Sequence, residues 1–84
     1  MEYSTEILAH GTKVCINNTH RFGTDAFLLS DFARVKYRQR AIDIGTGCGI
    51  IPLRWKDFGH KGLAVGAEID RDGTRLLNES IKLN

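Results

Sequence analysis

The sequence contains little proline and cysteine and has no long run of apolar residues. Its one proline is Pro52, and its two cysteines, Cys15 and Cys48, are far apart, which argues against a disulfide scaffold and a cysteine metal knuckle. No stretch approaches the ~18 uninterrupted apolar residues of a membrane span. The first residues lack the basic and apolar regions of a signal peptide. These absences predict a cytoplasmic protein without a membrane partner.

The residues that are present are typical of a folded domain. Of the 84 residues, 42% are hydrophobic and 26% are charged, and the formal net charge of +2 is too small for an intrinsically disordered tail. Single domains more often have roughly 100–150 residues, so the length predicts one domain or a part of one. The basic side chains are concentrated in residues 34–61, which contain seven lysines and arginines and two acidic residues.

The pattern of residues 1–40 predicts a β-hairpin followed by a helix. Apolar residues alternate on both sides of His10 and Gly11, which indicates two short strands that turn on the glycine. Thr24 or Asp25 is predicted to cap the helix, because its side-chain oxygen can accept from a free backbone N–H. An apolar stripe at helical spacing follows, formed by Leu28, Leu29, Phe32 and Ala33.

Residues 41–84 follow the order strand, glycine loop, helix, strand, helix. The strands are predicted at 41–44 and, as a buried-type strand, at 63–67, and the last helix at 71–83. The side chains of this helix expected to turn inward are Leu76, Leu77 and either Ile81 or Leu83. The order predicts an α/β protein with a partial Rossmann-like, doubly wound parallel sheet. Because only two parallel strands are counted, we expect this sheet to be incomplete at the C-terminus.

The glycine loop indicates the class of ligand. Asp43 lies two residues before Gly45, and the position where a dinucleotide fingerprint requires glycine is Ile50. A carboxylate there repels a pyrophosphate but can accept from the ammonium of an amino acid. Glu68, at the end of the next strand, is placed to accept from two ribose hydroxyls. These features together favour S-adenosylmethionine; the alternative is an uninvolved loop and a solvated Glu68.

Two segments resemble known methyltransferases. Asp43-Ile-Gly-Thr-Gly-Cys-Gly-Ile-Ile-Pro-Leu53 resembles motif I of class I methyltransferases. Arg21-Phe-Gly-Thr-Asp-Ala-Phe-Leu-Leu-Ser-Asp-Phe-Ala33 resembles a narrower group, the bacterial adenine methyltransferases that modify the base beside the anticodon of a valine tRNA. The resemblance extends from about residue 7 to residue 84. It implies that residues 1–84 are the N-terminal, cofactor-binding portion of one methyltransferase domain, with the hairpin and a capping helix at 1–40 and the cofactor-binding unit at 41–84.

The resemblance also implies individual roles. Asp43, Gly45 and Gly47 would contact the methionine part of the cofactor, Glu68 would hold the ribose, and Ile69 would lie against the adenine. The residues that would close over the cofactor from the N-terminal side are Phe22, Gly23, Thr24 and Asp25. Thr46 and Gly49 of the same loop complete the predicted cofactor-binding set.

The implied substrate is the N6 amino group of adenine in tRNA. The family receives this group with an Asn-Pro-Pro-Tyr motif, and this chain contains no Pro-Pro dipeptide. We therefore expect no catalytic residue within these 84 residues and an inactive chain when it is alone. Methyltransferases for guanine in ribosomal RNA or for protein glutamine share motif I and remain alternatives. A further alternative is a non-catalytic truncated fragment that self-associates through an open sheet edge.

The remaining polar residues give weaker indications. Arg34, Lys36, Arg38 and Arg40 alternate before the first parallel strand, where they either contact tRNA phosphates or form a solvated connector. The three histidines have no partner at ligand spacing, so no metal site is predicted, and His20 is interpreted as a turn residue.

Overall fold

A computed structural model describes residues 2–84, and in this part of the chain three helices and four short strands alternate. The strands form two separate two-stranded sheets. The elements in chain order are β1 (Ser4–Ile7), β2 (Lys13–Ile16), α1 (Thr24–Ala33), β3 (Ala41–Ile44), α2 (Ile50–Asp57), β4 (Ala64–Ala67) and α3 (Arg71–Leu83). No helix within residues 2–84 is long and apolar enough to cross a membrane.

The predicted hairpin is confirmed. β1 and β2 pair antiparallel, with Ser4 opposite Ile16, and the turn passes through Gly11 at a φ of 99°, a backbone conformation that side chains disfavour. β2 is buried because α3 covers it. The Cys15 amide donates to the Ser80 hydroxyl at 2.8 Å, and the Asn84 side chain makes two hydrogen bonds of 2.8 Å with the Lys13 backbone. These hydrogen bonds fix the hairpin to the C-terminal end of α3.

The hydrophobic core lies between β2, α2 and α3. Its buried apolar members are Leu8, Val14, Cys15, Ile16, Cys48, Ile50, Leu53 and Leu76. The hairpin segment therefore contributes half of the buried apolar residues of this core, and residues 48–76 contribute the other half.

The parallel pair is confirmed, but one face of it is only partly buried and the other is largely exposed. β3 and β4 pair in parallel, with Ala41 opposite Ala64. Ile42, Ile44 and Val65 lie on the exposed face. The prediction of a buried strand at 63–67 is wrong, because none of its residues is buried. The α/β class is confirmed. The doubly wound sheet stays a prediction, because two strands with one partly buried face do not define it.

Two predictions about α1 are wrong. The N-cap is Gly23, in extended conformation and without a side-chain hydrogen bond, and Thr24 is already the first helical residue. The apolar stripe faces solvent, with Phe32 84% exposed. The reason is that α1 packs inward through Ala26, Phe27 and Ser30 instead. On this side Arg54 of α2 donates to the Phe27 carbonyl at 3.0 Å and to the Ser30 hydroxyl at 2.7 Å. The covered face of α1 therefore combines two apolar side chains with hydrogen bonds to α2.

The prediction for α3 is correct in its first half. Leu76 is fully buried and Leu77 is half-buried, whereas Ile81 and Leu83 are exposed. Ser80 takes the inward position, because its hydroxyl donates to the Leu76 carbonyl at 3.0 Å and accepts from β2.

Candidate cofactor-binding site

The glycine loop turns the chain from β3 into α2. Gly45, Gly47 and Gly49 have φ values of 76°, 61° and 89°, all in the left-handed region where only glycine is free of strain. The amides of Gly45 and Thr46 donate to the Ala67 carbonyl at 2.8 and 3.0 Å. These bonds hold the loop at the carboxyl ends of both parallel strands, the edge at which α/β sheets bind ligands.

A cleft of about 390 Å³ lies between this loop and the start of α1. Seven of the predicted cofactor residues line it: Phe22, Gly23, Asp25, Asp43, Gly45, Thr46 and Gly47. It is also lined by five residues that were not predicted, namely Arg21, Ala26, Cys48, Ile50 and Ile51. The two segments that carry the family resemblance therefore form the two walls of one cleft.

Four predicted residues lie outside the lining. Thr24 is exposed in the first turn of α1, and Gly49 faces α3, where an added Cβ would overlap the Leu77 side chain. Glu68 is bonded to the loop at the Gly47 amide but does not line the cleft, and Ile69 is 99% exposed.

Two residues that line the cleft, Asp43 and Thr46, each have a buried side-chain oxygen without a hydrogen-bond partner among residues 2–84, and the Asp43 carboxylate is the acidic one. In Asp43 this oxygen is Oδ2. A buried carboxylate oxygen without a donor is costly, and an ammonium group supplies both a positive charge and hydrogen-bond donors. The amino-acid part of S-adenosylmethionine therefore fits the residues that line the cleft.

Glu68 connects the loop to the end of β4. Its Oε1 accepts from the Gly47 amide at 2.8 Å and its Oε2 from the Asp70 amide at 3.0 Å. The hydrogen bond from the Asp70 amide, and after it the one from the Gly47 amide, hold the pKa of the Glu68 carboxyl below its ordinary value. Glu68 is therefore ionised at neutral pH. Each carboxylate oxygen has a second lone pair, so the Glu68 carboxylate can still accept a hydrogen bond from a hydroxyl group.

His20 is a neighbour of the loop that sequence reasoning missed. Asn17 organises the turn before it, since its Oδ1 accepts from the His20 amide at 2.8 Å. The ring then lies beside the loop, with Nδ1 4.0 Å from where a Cβ on Gly47 would be, and with a buried Nε2 3.4 Å from Asp70 Oδ2. Asn17 and Asn18 signal the turn in the sequence. The contact of the His20 ring with Asp70 has no such signal, because it depends on tertiary packing.

Two other kinds of chemistry are not supported at this site. Burial raises the pKa of the Cys48 thiol, so it is a packed neutral side chain and not an activated nucleophile. Within residues 2–84, no group of three or more histidine, cysteine or acidic side chains could hold a metal ion.

A comparison with curated proteins finds a methyltransferase of similar sequence. Over 62 residues the chain is 32% identical to the tRNA1(Val) (adenine(37)-N6)-methyltransferase of Tolumonas auensis. The alignment covers 73% of this chain and 26% of that protein, so the chain spans about a quarter of the relative's length. No family model matches the chain. The similarity indicates a relationship to methyltransferases.

Proposed function

We propose that this chain is the S-adenosylmethionine-binding portion of a methyltransferase that acts on the N6 amino group of adenine in tRNA. The observation that carries the proposal is the cleft beside the glycine loop, in which Asp43 has a buried oxygen without a partner. The related Tolumonas auensis protein, a methyltransferase for adenine in tRNA by its name, supports both the cofactor and the acceptor.

The residues of the cleft would bind and orient the cofactor. Asp43 would accept from its ammonium group, and Gly45 and Gly47 would allow its methionine part to approach the backbone closely. Glu68 holds the loop in place and has lone pairs left for the ribose hydroxyls. When bound, S-adenosylmethionine supplies an electrophilic methyl group. The chain has no Asn-Pro-Pro-Tyr sequence, so we assign to it cofactor binding and not reception of the target amino group.

Isothermal titration with S-adenosylmethionine and with NAD tests the proposal. We expect S-adenosylmethionine to bind more tightly than NAD, since Asp43 repels a pyrophosphate. Asp43→Asn should weaken S-adenosylmethionine binding about 10- to 100-fold, because a charged hydrogen bond contributes about 1.5–3 kcal/mol. The matched control is Asp72→Asn, which removes an exposed carboxylate outside the cleft and should leave the affinity unchanged.

Thermal unfolding of the same variants separates binding from folding. Asp43→Asn removes a buried charge that has no partner, so it should unfold at the same temperature as the parent or at a higher one. Tighter binding of NAD, or equal binding of S-adenosylmethionine by Asp43→Asn and the parent, would contradict the proposed function.

A further inference from the structure

Two loops meet at the amino ends of the parallel strands. The loop of residues 34–40 leads into β3 and the loop of residues 58–63 leads into β4; we call them the basic loop pair. The amides of Lys61 and Gly62 donate to the Tyr37 carbonyl at 2.8 and 3.1 Å, and His60 Nε2 lies 2.6 Å from the Gln39 carbonyl oxygen. These contacts hold the two loops against each other as one surface.

Close backbone contact at Gly62 reinforces this arrangement. A Cβ on Gly62 would overlap the backbone of Arg38 and Gln39, so the two loops approach as closely as the absence of a side chain allows. The surface is therefore built by the fold, although its residues come from two separate parts of the sequence.

The charge of this surface is uncompensated. Its exposed cations, together with one in the last turn of α2, are Arg34, Lys36, Arg38, Arg40, Lys56 and Lys61. Within residues 2–84, none of these six forms a salt bridge. The nearby acids are already used, since Asp57 is buried against backbone amides and Asp31 pairs with Arg54. A solvated connector needs only a few dispersed charges, whereas six cations without a salt bridge, in and beside two contacting loops, produce a field suited to a polyanion.

The surface lies at the opposite end of the sheet from the cofactor cleft. The glycine loop follows β3, whereas the loop 34–40 precedes it, and strands of four residues separate the two ends by about 13 Å. A partner that contacts both ends must therefore span more than about 13 Å. The end of α1, the end of α2 and loop 34–40 also enclose a pocket of about 300 Å³. Its aromatic side chains include Tyr37, which is 56% exposed and offers a ring on which a base can stack.

We propose that the basic loop pair binds the phosphate backbone of the RNA substrate, at a site remote from the methyl-accepting base. This inference rests on the proposed function for the choice of RNA as the polyanion. The cations neutralise phosphates without reading sequence, so they contribute affinity and orientation but no discrimination between bases. The cofactor end of the sheet is left free for the reacting groups.

The test is a fluorescence anisotropy titration of a labelled RNA with the sequence of a valine tRNA anticodon stem-loop, repeated at several salt concentrations. The variant Lys36→Gln, Arg38→Gln, Arg40→Gln removes three exposed cations from the basic loop pair. It should bind at least about tenfold more weakly at low salt, and its plot of log K against log salt concentration should be shallower by about 2. The matched control is Lys13→Gln, Arg75→Gln, Lys82→Gln, which removes three exposed cations elsewhere and should bind as the parent does.

A titration of the loop variant with S-adenosylmethionine keeps this inference separate from the proposed function. Its affinity for the cofactor should equal that of the parent, which also shows that the variant is folded. Absence of RNA binding by the parent, or equal losses in the two triple variants, would overturn the inference. If the parent binds the RNA through these three residues but does not bind S-adenosylmethionine, the basic loop pair is supported and the proposed cofactor function fails.

Discussion

At the scale of single residues, Asp57 is the buried acid that fixes the hairpin to α2. Its side chain is fully buried, and its carboxylate accepts from the amides of His10 and Thr12 at 3.0 Å each. Burial by itself opposes ionisation, but the hydrogen bonds from Thr12 and His10 outweigh it and hold the pKa of Asp57 below its ordinary value. The ionised carboxylate therefore stabilises the folded chain.

The lowered pKa of Asp57 predicts that the stability of the folded chain depends on pH. The unfolded carboxyl titrates near 3.8 and the folded one lower, so its contribution is complete above that pH and is lost as the pH falls through the folded pKa. Asp57→Asn should lower the free energy of unfolding at neutral pH by about 1–3 kcal/mol, because backbone donors lose their charged partner. Urea unfolding across the acidic range measures both effects. The variant should show a weaker loss of stability below about pH 4 than the parent. An equally steep loss in the two proteins would contradict this role.

The residues of the site differ in how far sequence could place them. Asp43 and the loop glycines are adjacent along the chain, so the order of strand, acid and glycines was sufficient to bring them to one cleft. Glu68 was correctly placed at the end of β4, but its two bonds to backbone amides follow from the exact approach of the loop. His20 could not be connected to Asp70, because nothing local relates a turn after β2 to the start of α3.

At the scale of elements, the packing of α3 on the glycine loop depends on Gly73. Glycine within a helix ordinarily costs about 1 kcal/mol relative to alanine. Here Gly73 is buried, and an added Cβ would lie 2.8 Å from the Gly47 carbonyl oxygen and 2.9 Å from Glu68 Cγ. The glycine therefore permits the contact between α3 and the loop.

Gly73→Ala should consequently destabilise the chain despite its better helix propensity. Overpacking costs typically 1–3 kcal/mol, which exceeds the gain in propensity, so we expect a net loss of about 1 kcal/mol in chemical unfolding. The control is Asn78→Ala on the exposed side of α3, which should leave stability unchanged or raise it by a few tenths of a kcal/mol. A Gly73→Ala protein as stable as the parent would show that the loop moves away from α3 without cost.

The order of elements was predictable, but the exposed faces were not. Periodicity identified both sheets and all three helices within residues 2–84. It could not show that α1 would be held by Arg54 and Ser30 with its leucines outward, because apolar spacing normally indicates the buried face. Ser80 likewise occupies an inward position that the pattern of α3 assigned to Ile81 or Leu83.

At the scale of the whole molecule, an apolar face of the parallel sheet is open. Ile42, Ile44 and Val65 are exposed on it, and Ile44 alone is 81% exposed. Contiguous apolar surface of this kind drives association. The open face is therefore a second surface for self-association, besides the open sheet edge that the sequence predicts.

We therefore expect the chain to associate increasingly as its concentration rises. Size-exclusion chromatography with light scattering measures this, and Ile44→Lys should shift the protein towards monomer. Leu83→Lys, at another exposed apolar position, is the control and should leave the association unchanged. A cooperatively melting monomer at every concentration, or equal effects of the two substitutions, would contradict this prediction.

We propose that S-adenosylmethionine binds at the carboxyl ends of β3 and β4, between the glycine loop and the start of α1. The most direct measurement is a ¹H–¹⁵N correlation spectrum of the chain during titration with S-adenosylmethionine. We expect the largest shifts at the amides of Gly23, Gly45 and Gly47, which line the cleft, and unchanged amides in the loops 34–40 and 58–63. Unchanged spectra throughout, or shifts concentrated at the amino ends of the strands, would contradict it.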